Sequence, residues 1–77
     1  MVPRFLTMAE VAEELNISER QVYHLVRNRE LPAVKIGGRG VYREERQQLE
    51  AFIERMYQQT DEFLRTHPFD RDEALES

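Results

Sequence analysis

Ser18-Glu19-Arg20-Gln21-Val22-Tyr23-His24-Leu25-Val26-Arg27-Asn28 is the stretch on which the reading of this 77-residue chain turns. Val22, Leu25 and Val26 recur at the i, i+3, i+4 spacing of one helical face, so the segment predicts an amphipathic helix. Ser18 stands where an N-cap is wanted, since its hydroxyl accepts from a free amide of the first turn. The same phase turns Arg20, Gln21, Tyr23, His24 and Arg27 outward, a face dense in hydrogen-bond donors.

Upstream, Thr7 with Glu10 three residues later has the form of a capping box, and Met8, Val11, Ala12 and Leu15 follow as one apolar stripe. A first helix is expected from there to Leu15, with Glu10, Glu13 and Glu14 on its far side. Asn16-Ile17-Ser18 leaves room only for a tight turn, with Asn16 suited to a left-handed conformation and Ile17 placed to fill the angle between helices. Helix, three-residue turn and second helix make a helix-turn-helix.

Downstream, Arg29-Glu30-Leu31-Pro32 is expected to stop the second helix, because proline disfavours helical geometry in the residue before it. Ala33 to Ile36 reads as a short strand, Gly37-Gly38-Arg39-Gly40 as a hairpin tip and Val41 to Arg43 as the returning strand, together a two-stranded wing. Glycines at 37, 38 and 40 lack the lysine-serine pair and helix start of a phosphate-binding loop, so the hairpin is preferred. A third helix is expected from about Glu44 to Arg65, with Glu44-Glu45 at the positive end of its dipole. Its stripe from Leu49 to Tyr57 is assigned to the core. Roughly 22 helical residues span about 33 Å, more than a core of this size covers, so the last turns should meet a partner or fray. Phe63, Leu64 and Phe69 are candidates for a contact patch, and acidic Asp70 to Ser77 reads as a mobile tail. The division expected is a DNA-binding domain over 1–60 and a helix end with tail over 61–77.

Charge sharpens the reading. The net charge of −4 opposes nucleic-acid binding at first sight. Yet residues 1–43 hold seven Arg/Lys against five Glu, whereas residues 44–77 hold four Arg against ten Asp/Glu. Between Arg20 and Arg43 six basic residues face Glu30 alone, which makes a compact basic surface on an acidic molecule. With no cysteine there is no disulfide or thiolate metal site, and two isolated histidines are too few for a zinc cluster. No catalytic constellation surrounds His24, so no enzyme and no cofactor are expected. The absence of a bilayer-length apolar run or a secretion signal leads to the expectation of a cytoplasmic protein without a membrane partner.

The run from Phe5 to Val26, followed by Glu30-Leu31-Pro32-Ala33-Val34-Lys35-Ile36-Gly37-Gly38-Arg39, closely resembles the excisionase-like branch of the MerR-type winged helix-turn-helix proteins. The resemblance covers residues 5 to about 53. It implies a mainly α fold with a small β-hairpin: helix-turn-helix, two-stranded wing and long C-terminal helix. It also implies major-groove contacts for Arg20, Gln21, Tyr23, His24 and Arg27, with the wing tip in the adjacent minor groove through Gly38 and Arg39. Lys35 and Arg43 would be flanking phosphate contacts. Family members often carry glycine where Arg29 stands and a large or basic residue where Gly40 stands.

The leading expectation is an excisionase, or recombination directionality factor. Copies bound side by side would bend double-stranded DNA and turn a partner integrase toward excision. The bias comes from a chain that is almost all reading head. A small transcription regulator of the same fold is the alternative. An interaction module that has lost DNA binding is a third reading, of a different class.

Overall fold

A computed structural model of the chain describes residues 2–67. The elements run β1 (Phe5–Leu6), α1 (Met8–Leu15), α2 (Glu19–Arg27), β2 (Val34–Ile36), β3 (Val41–Glu45) and α3 (Arg46–Thr66). Three helices with an antiparallel wing make the expected winged helix-turn-helix.

Local chemistry accounts for both ends of the first two helices. Thr7 Oγ1 accepts from the Glu10 amide at 3.0 Å while Glu10 Oε1 accepts from the Thr7 amide at 2.8 Å, a complete capping box. Ser18 and Gln21 repeat it on α2, with Ser18 Oγ accepting from the Gln21 amide at 3.1 Å and Gln21 Oε1 accepting from the Ser18 amide at 2.9 Å. Both helices close with the Schellman pattern of crossed hydrogen bonds. After α1, the Ile17 amide donates to Ala12 O and the Asn16 amide to Glu13 O. After α2, the Glu30 amide donates to Leu25 O and the Arg29 amide to Val26 O. The residue in the left-handed region is Asn16 (φ 55°) in one case and Arg29 (φ 61°) in the other.

Helix α2 therefore ends through its own turn at Arg29, three residues before Pro32 and five before β2 begins at Val34, and proline only keeps the helix from resuming. An arginine in left-handed geometry costs about 1–2 kcal/mol, which glycine avoids at an entropic cost of roughly 0.5–1 kcal/mol. Arg29→Gly is accordingly expected to raise stability modestly, by up to about 1 kcal/mol, in thermal or urea unfolding. A lower melting temperature for the variant would contradict that account.

The sheet departs from the two-stranded wing expected from sequence. It has three antiparallel strands in the order β1-β3-β2, because Phe5 and Leu6 pair with Glu45 and Glu44. Strand β3 consequently continues through Glu45, and α3 starts at Arg46 rather than Glu44. The expectation that Glu44-Glu45 would complement a helix dipole is thus corrected for Glu44, which lies in the strand, while Glu45 stands at the N-cap of α3. Glu44 is a strand residue with 0% exposure, and Glu45, although at the N-cap of α3, makes no capping hydrogen bond. Glu45 instead accepts from Arg4 Nε at 3.0 Å. The Arg46 amide donates to Arg4 O at 2.7 Å, and Arg46 Nε to Pro3 O at 3.2 Å. Strand-strand hydrogen bonding won over helical propensity because it satisfies the backbone of β1 as well.

Leu6, Met8, Val11, Ala12 and Val22 form one buried cluster with Leu31, Leu49 and Phe52, and Ile17 packs against its edge as expected. Arg55 donates from Nη2 to Glu30 O at 3.2 Å, so α3 holds the turn that follows α2. Burial ends early along α3. Tyr57, assigned to the core from its spacing, is 75% exposed, and Phe63 is 54% exposed and stacked on His67 at 4.4 Å. The spacing is helical, but the small domain offers no surface to cover those turns. Phe69 and the expected mobile tail from Asp70 to Ser77 lie outside the described residues.

Candidate nucleic-acid interface

The outer face of α2 carries the side chains that the helical phase assigned to it. Arg20, Gln21, Tyr23, His24 and Arg27 are all exposed and, with Glu19, line one shallow depression. Spacings of three and four put Arg20, Tyr23 and Arg27 in a row along the helix axis. Gln21 has a second task there, because its Oε1 is held by the Ser18 cap and only its amide NH2 is left to donate outward. The Ser-x-x-Gln spacing was the sequence signal for that.

Tyr23 joins this face to the wing. Its ring meets Tyr42 of β3 edge-to-face, with centroids 6.2 Å apart and planes at 85°. That geometry is a favourable one for aromatic pairs. Tyr42 stands directly opposite Lys35 in the β2–β3 register, so Lys35 and Tyr42 share the wing face turned toward α2. Val34, Ile36, Val41 and Arg43 share the other face.

The hairpin tip is a four-residue turn closed by the Gly40 amide donating to Gly37 O at 3.3 Å. Gly37 (φ 79°) and Gly40 (φ 73°) take left-handed conformations that other residues rarely adopt. At Gly38 an added Cβ would meet nothing within 4 Å, so the backbone there is bare to solvent, and exposed Arg39 follows it. At Gly40 an added Cβ would fall 2.4 Å from Lys35 Cε and 3.2 Å from Lys35 Nζ. Lys35 therefore folds over Gly40 and brings its ammonium to the tip. A two-cation tip was not readable from the sequence, because the pairing of Lys35 with Gly40 depends on the hairpin's register.

Arg43 is placed apart from the others. It is half-buried, donates from Nη1 to the Tyr42 carbonyl at 2.8 Å, and lies on the wing face away from Tyr23. Glu10 of α1 has its carboxyl held below the ordinary range chiefly by the Thr7 amide and then the Thr7 hydroxyl, with smaller help from Arg43 and Arg46. The acidic side of α1 is also where Glu14 pairs with Arg46 at 3.7 Å. Asn28, not singled out from sequence, places its side-chain Nδ2 2.9 Å from His24 Nε2. The i, i+4 spacing of the two was the signal available.

A family model described as a helix-turn-helix domain matches residues 5–57, which is more than half of the chain and includes both capped helices and the whole wing. The chain belongs to this helix-turn-helix domain family. Over 34 residues this helix-turn-helix protein is 53% identical to proteins of two Mycobacterium tuberculosis strains, CDC 1551 / Oshkosh and ATCC 25618 / H37Rv, both named as candidate DNA-binding proteins. The match covers 44% of this chain and 44% of each relative, so it spans less than half the length of the curated relatives. No solved structure matches the chain. Among the described residues no group of His, Cys, Asp or Glu is arranged to hold a metal ion, and no helix is long and apolar enough to cross a membrane.

Proposed function

We propose that this helix-turn-helix protein binds double-stranded DNA with sequence preference, without catalysing a reaction, and serves as an excisionase. In this reading α2 lies in the major groove with Arg20, Gln21, Tyr23, His24 and Arg27 toward bases and phosphates. The wing tip enters the neighbouring minor groove with Gly38, Arg39 and Lys35. Arg43, on the other wing face, contributes positive field at longer range. The observation that carries the reading is the Tyr23–Tyr42 contact, which seats the wing beside the cationic face of α2. Family membership and the names of the two relatives support DNA as the partner.

The excisionase role rests on the motif resemblance of residues 5 to about 53. Several copies on adjacent sites would bend the duplex and help an integrase assemble for excision. A smooth bend of roughly 40–90° costs on the order of 1–6 kcal/mol, within reach of a few cooperating protomers.

Two measurements test this. Selection from randomised duplexes should return a preferred sequence; recovery of none removes the DNA reading in favour of a protein-interaction module. Added to an in vitro reaction with a partner integrase, the protein should raise excision and lower integration. Intact DNA binding with unchanged recombination would leave the transcription-regulator alternative in its place. Self-association should fall when residues 61–77 are removed, and no change on truncation excludes the exposed end of α3 as the contact between copies.

A further inference from the structure

His24 and Asn28 sit one helical turn apart on the exposed side of α2 and are joined twice. The Asn28 amide donates to His24 O at 3.0 Å, closing the last turn, and Asn28 Nδ2 lies 2.9 Å from His24 Nε2. An amide NH2 group has hydrogens to give and no lone pair to offer. With the Asn28 amide oriented NH2 toward the ring, the imidazole nitrogen facing it is the acceptor, and in a neutral ring the single proton then resides on Nδ1. Among the described residues Nδ1 has no hydrogen-bond partner. The ring is exposed beside Tyr23 and Arg27 in the depression on the outer face of α2.

We propose that Asn28 fixes His24 as an Nδ1–H donor, and that this makes Asn28 a positioning residue for base choice. The inference rests on the DNA-binding reading above and adds a discriminating element to it. In the major groove guanine offers O6 and N7, adenine N7 and thymine O4 as acceptors, whereas cytosine offers only its N4 amino donor. A locked donor meets an acceptor on the first three and a second donor on cytosine. Unlocked, the imidazole presents either a donor or a lone pair by exchanging tautomers, and the discrimination against cytosine disappears.

The experiment has two arms on the full chain. Long-range nitrogen-proton NMR of the imidazole rings, at a pH where they are neutral, reads the tautomer directly, with His24→Ala assigning the signal against that of His67. Nδ1–H is expected for His24 in the unmodified protein, shifting toward Nε2–H in Asn28→Ala. Asn28 is exposed and its backbone makes the helix-closing bond, so the variant is expected to fold. In the second arm, selection from randomised duplexes should show one position where cytosine is disfavoured by about three- to tenfold, the worth of a single hydrogen bond. Both His24→Ala and Asn28→Ala should lose that penalty while keeping preference elsewhere in the site.

An Nε2-protonated His24 in the unmodified chain overturns the inference, as does an Asn28→Ala protein that keeps the cytosine penalty. Failure of the unmodified chain to bind any duplex overturns the DNA reading and this role with it, while the NMR arm still reports whether the ring is locked.

Discussion

Raising monovalent salt from about 50 to about 200 mM is expected to weaken binding of this protein to duplex DNA by two to three orders of magnitude, on the order of −0.9 in log-log slope per phosphate neutralised. Arg20 and Arg27 on α2, with Lys35 and Arg39 at the wing tip, are four exposed cations flanking the proposed groove, and Arg29 follows the helix. Four or five phosphate contacts give a slope of about −3.6 to −4.5, which a fourfold change in salt converts into the stated loss. The overall charge of −4 does not oppose this, because screening confines the acidic faces of α1 and α3 to their own neighbourhood. Arg39→Ala should reduce the slope by about one and weaken binding most on sites with A·T-rich flanks, where the minor groove is narrow and strongly negative. Arg20→Ala should alter which sequences are chosen. Anisotropy titrations across salt and footprints on randomised sites read both. A flat salt response would remove the DNA reading, and equal losses on every sequence for both variants would contradict the division between helix and wing.

Glu44→Gln is expected to stabilise the protein above neutral pH and to flatten its stability profile between mildly acidic and neutral conditions. The Glu44 side chain is fully buried and neither carboxyl oxygen has a hydrogen-bond partner among the described residues. Burial is the main cause that raises its pKa from 4.5 to about 7, with Glu45 next along the strand adding to it. Nearby cations are engaged elsewhere: Arg4 with Glu45, Arg46 with Glu14 and Arg43 with the Tyr42 carbonyl. The native state therefore keeps a proton that the unfolded chain releases at lower pH. Glu44's favourable contribution is complete below about pH 4.5 and disappears as pH rises to about 7, a difference of at most about 3 kcal/mol. Each kcal/mol moves the melting temperature of a domain this size by roughly 4–8 °C, so the change is large on the scale of its total stability. Glu10, fully exposed with a lowered pKa, acts in the opposite sense as pH falls, since its Thr7 bonds favour the carboxylate. Thermal melts from pH 4 to 8 decide the matter: parallel profiles for the variant and the parent would show that Glu44 is not the group responsible.

The features that organise the helix-turn-helix are local and were legible in the sequence. The Thr7–Glu10 box, the Ser18 cap and the left-handed turn at Asn16 depend on residues within four positions of one another, and so do the apolar stripes of α1 and α2. What escaped depends on distant partners or on broken habits. Phe5-Leu6 is too short to announce a strand, and only Glu44 and Glu45, some forty residues away, give it one. Glu44 misled because a burial site for an unpaired carboxyl runs against the energetic rule that charged groups stay in water. Arg29 hid a left-handed turn that glycine would have advertised. At the interface, helical phase was enough to gather Arg20, Tyr23, His24 and Arg27 on one face. It could not show that Arg43 would donate to the Tyr42 carbonyl or that Lys35 would arch over Gly40.

The perpendicular tyrosines have a mechanical consequence. Because Tyr23 belongs to the helix and Tyr42 to the hairpin, their contact sets the gauge between two implements that would otherwise swing separately about the Leu31-Pro32 connection. Trimming the Tyr42 ring loosens that gauge without removing a single cation or any side chain of the α2 face, so its cost falls on the distance tolerated between adjoining grooves and leaves the pull toward phosphate untouched.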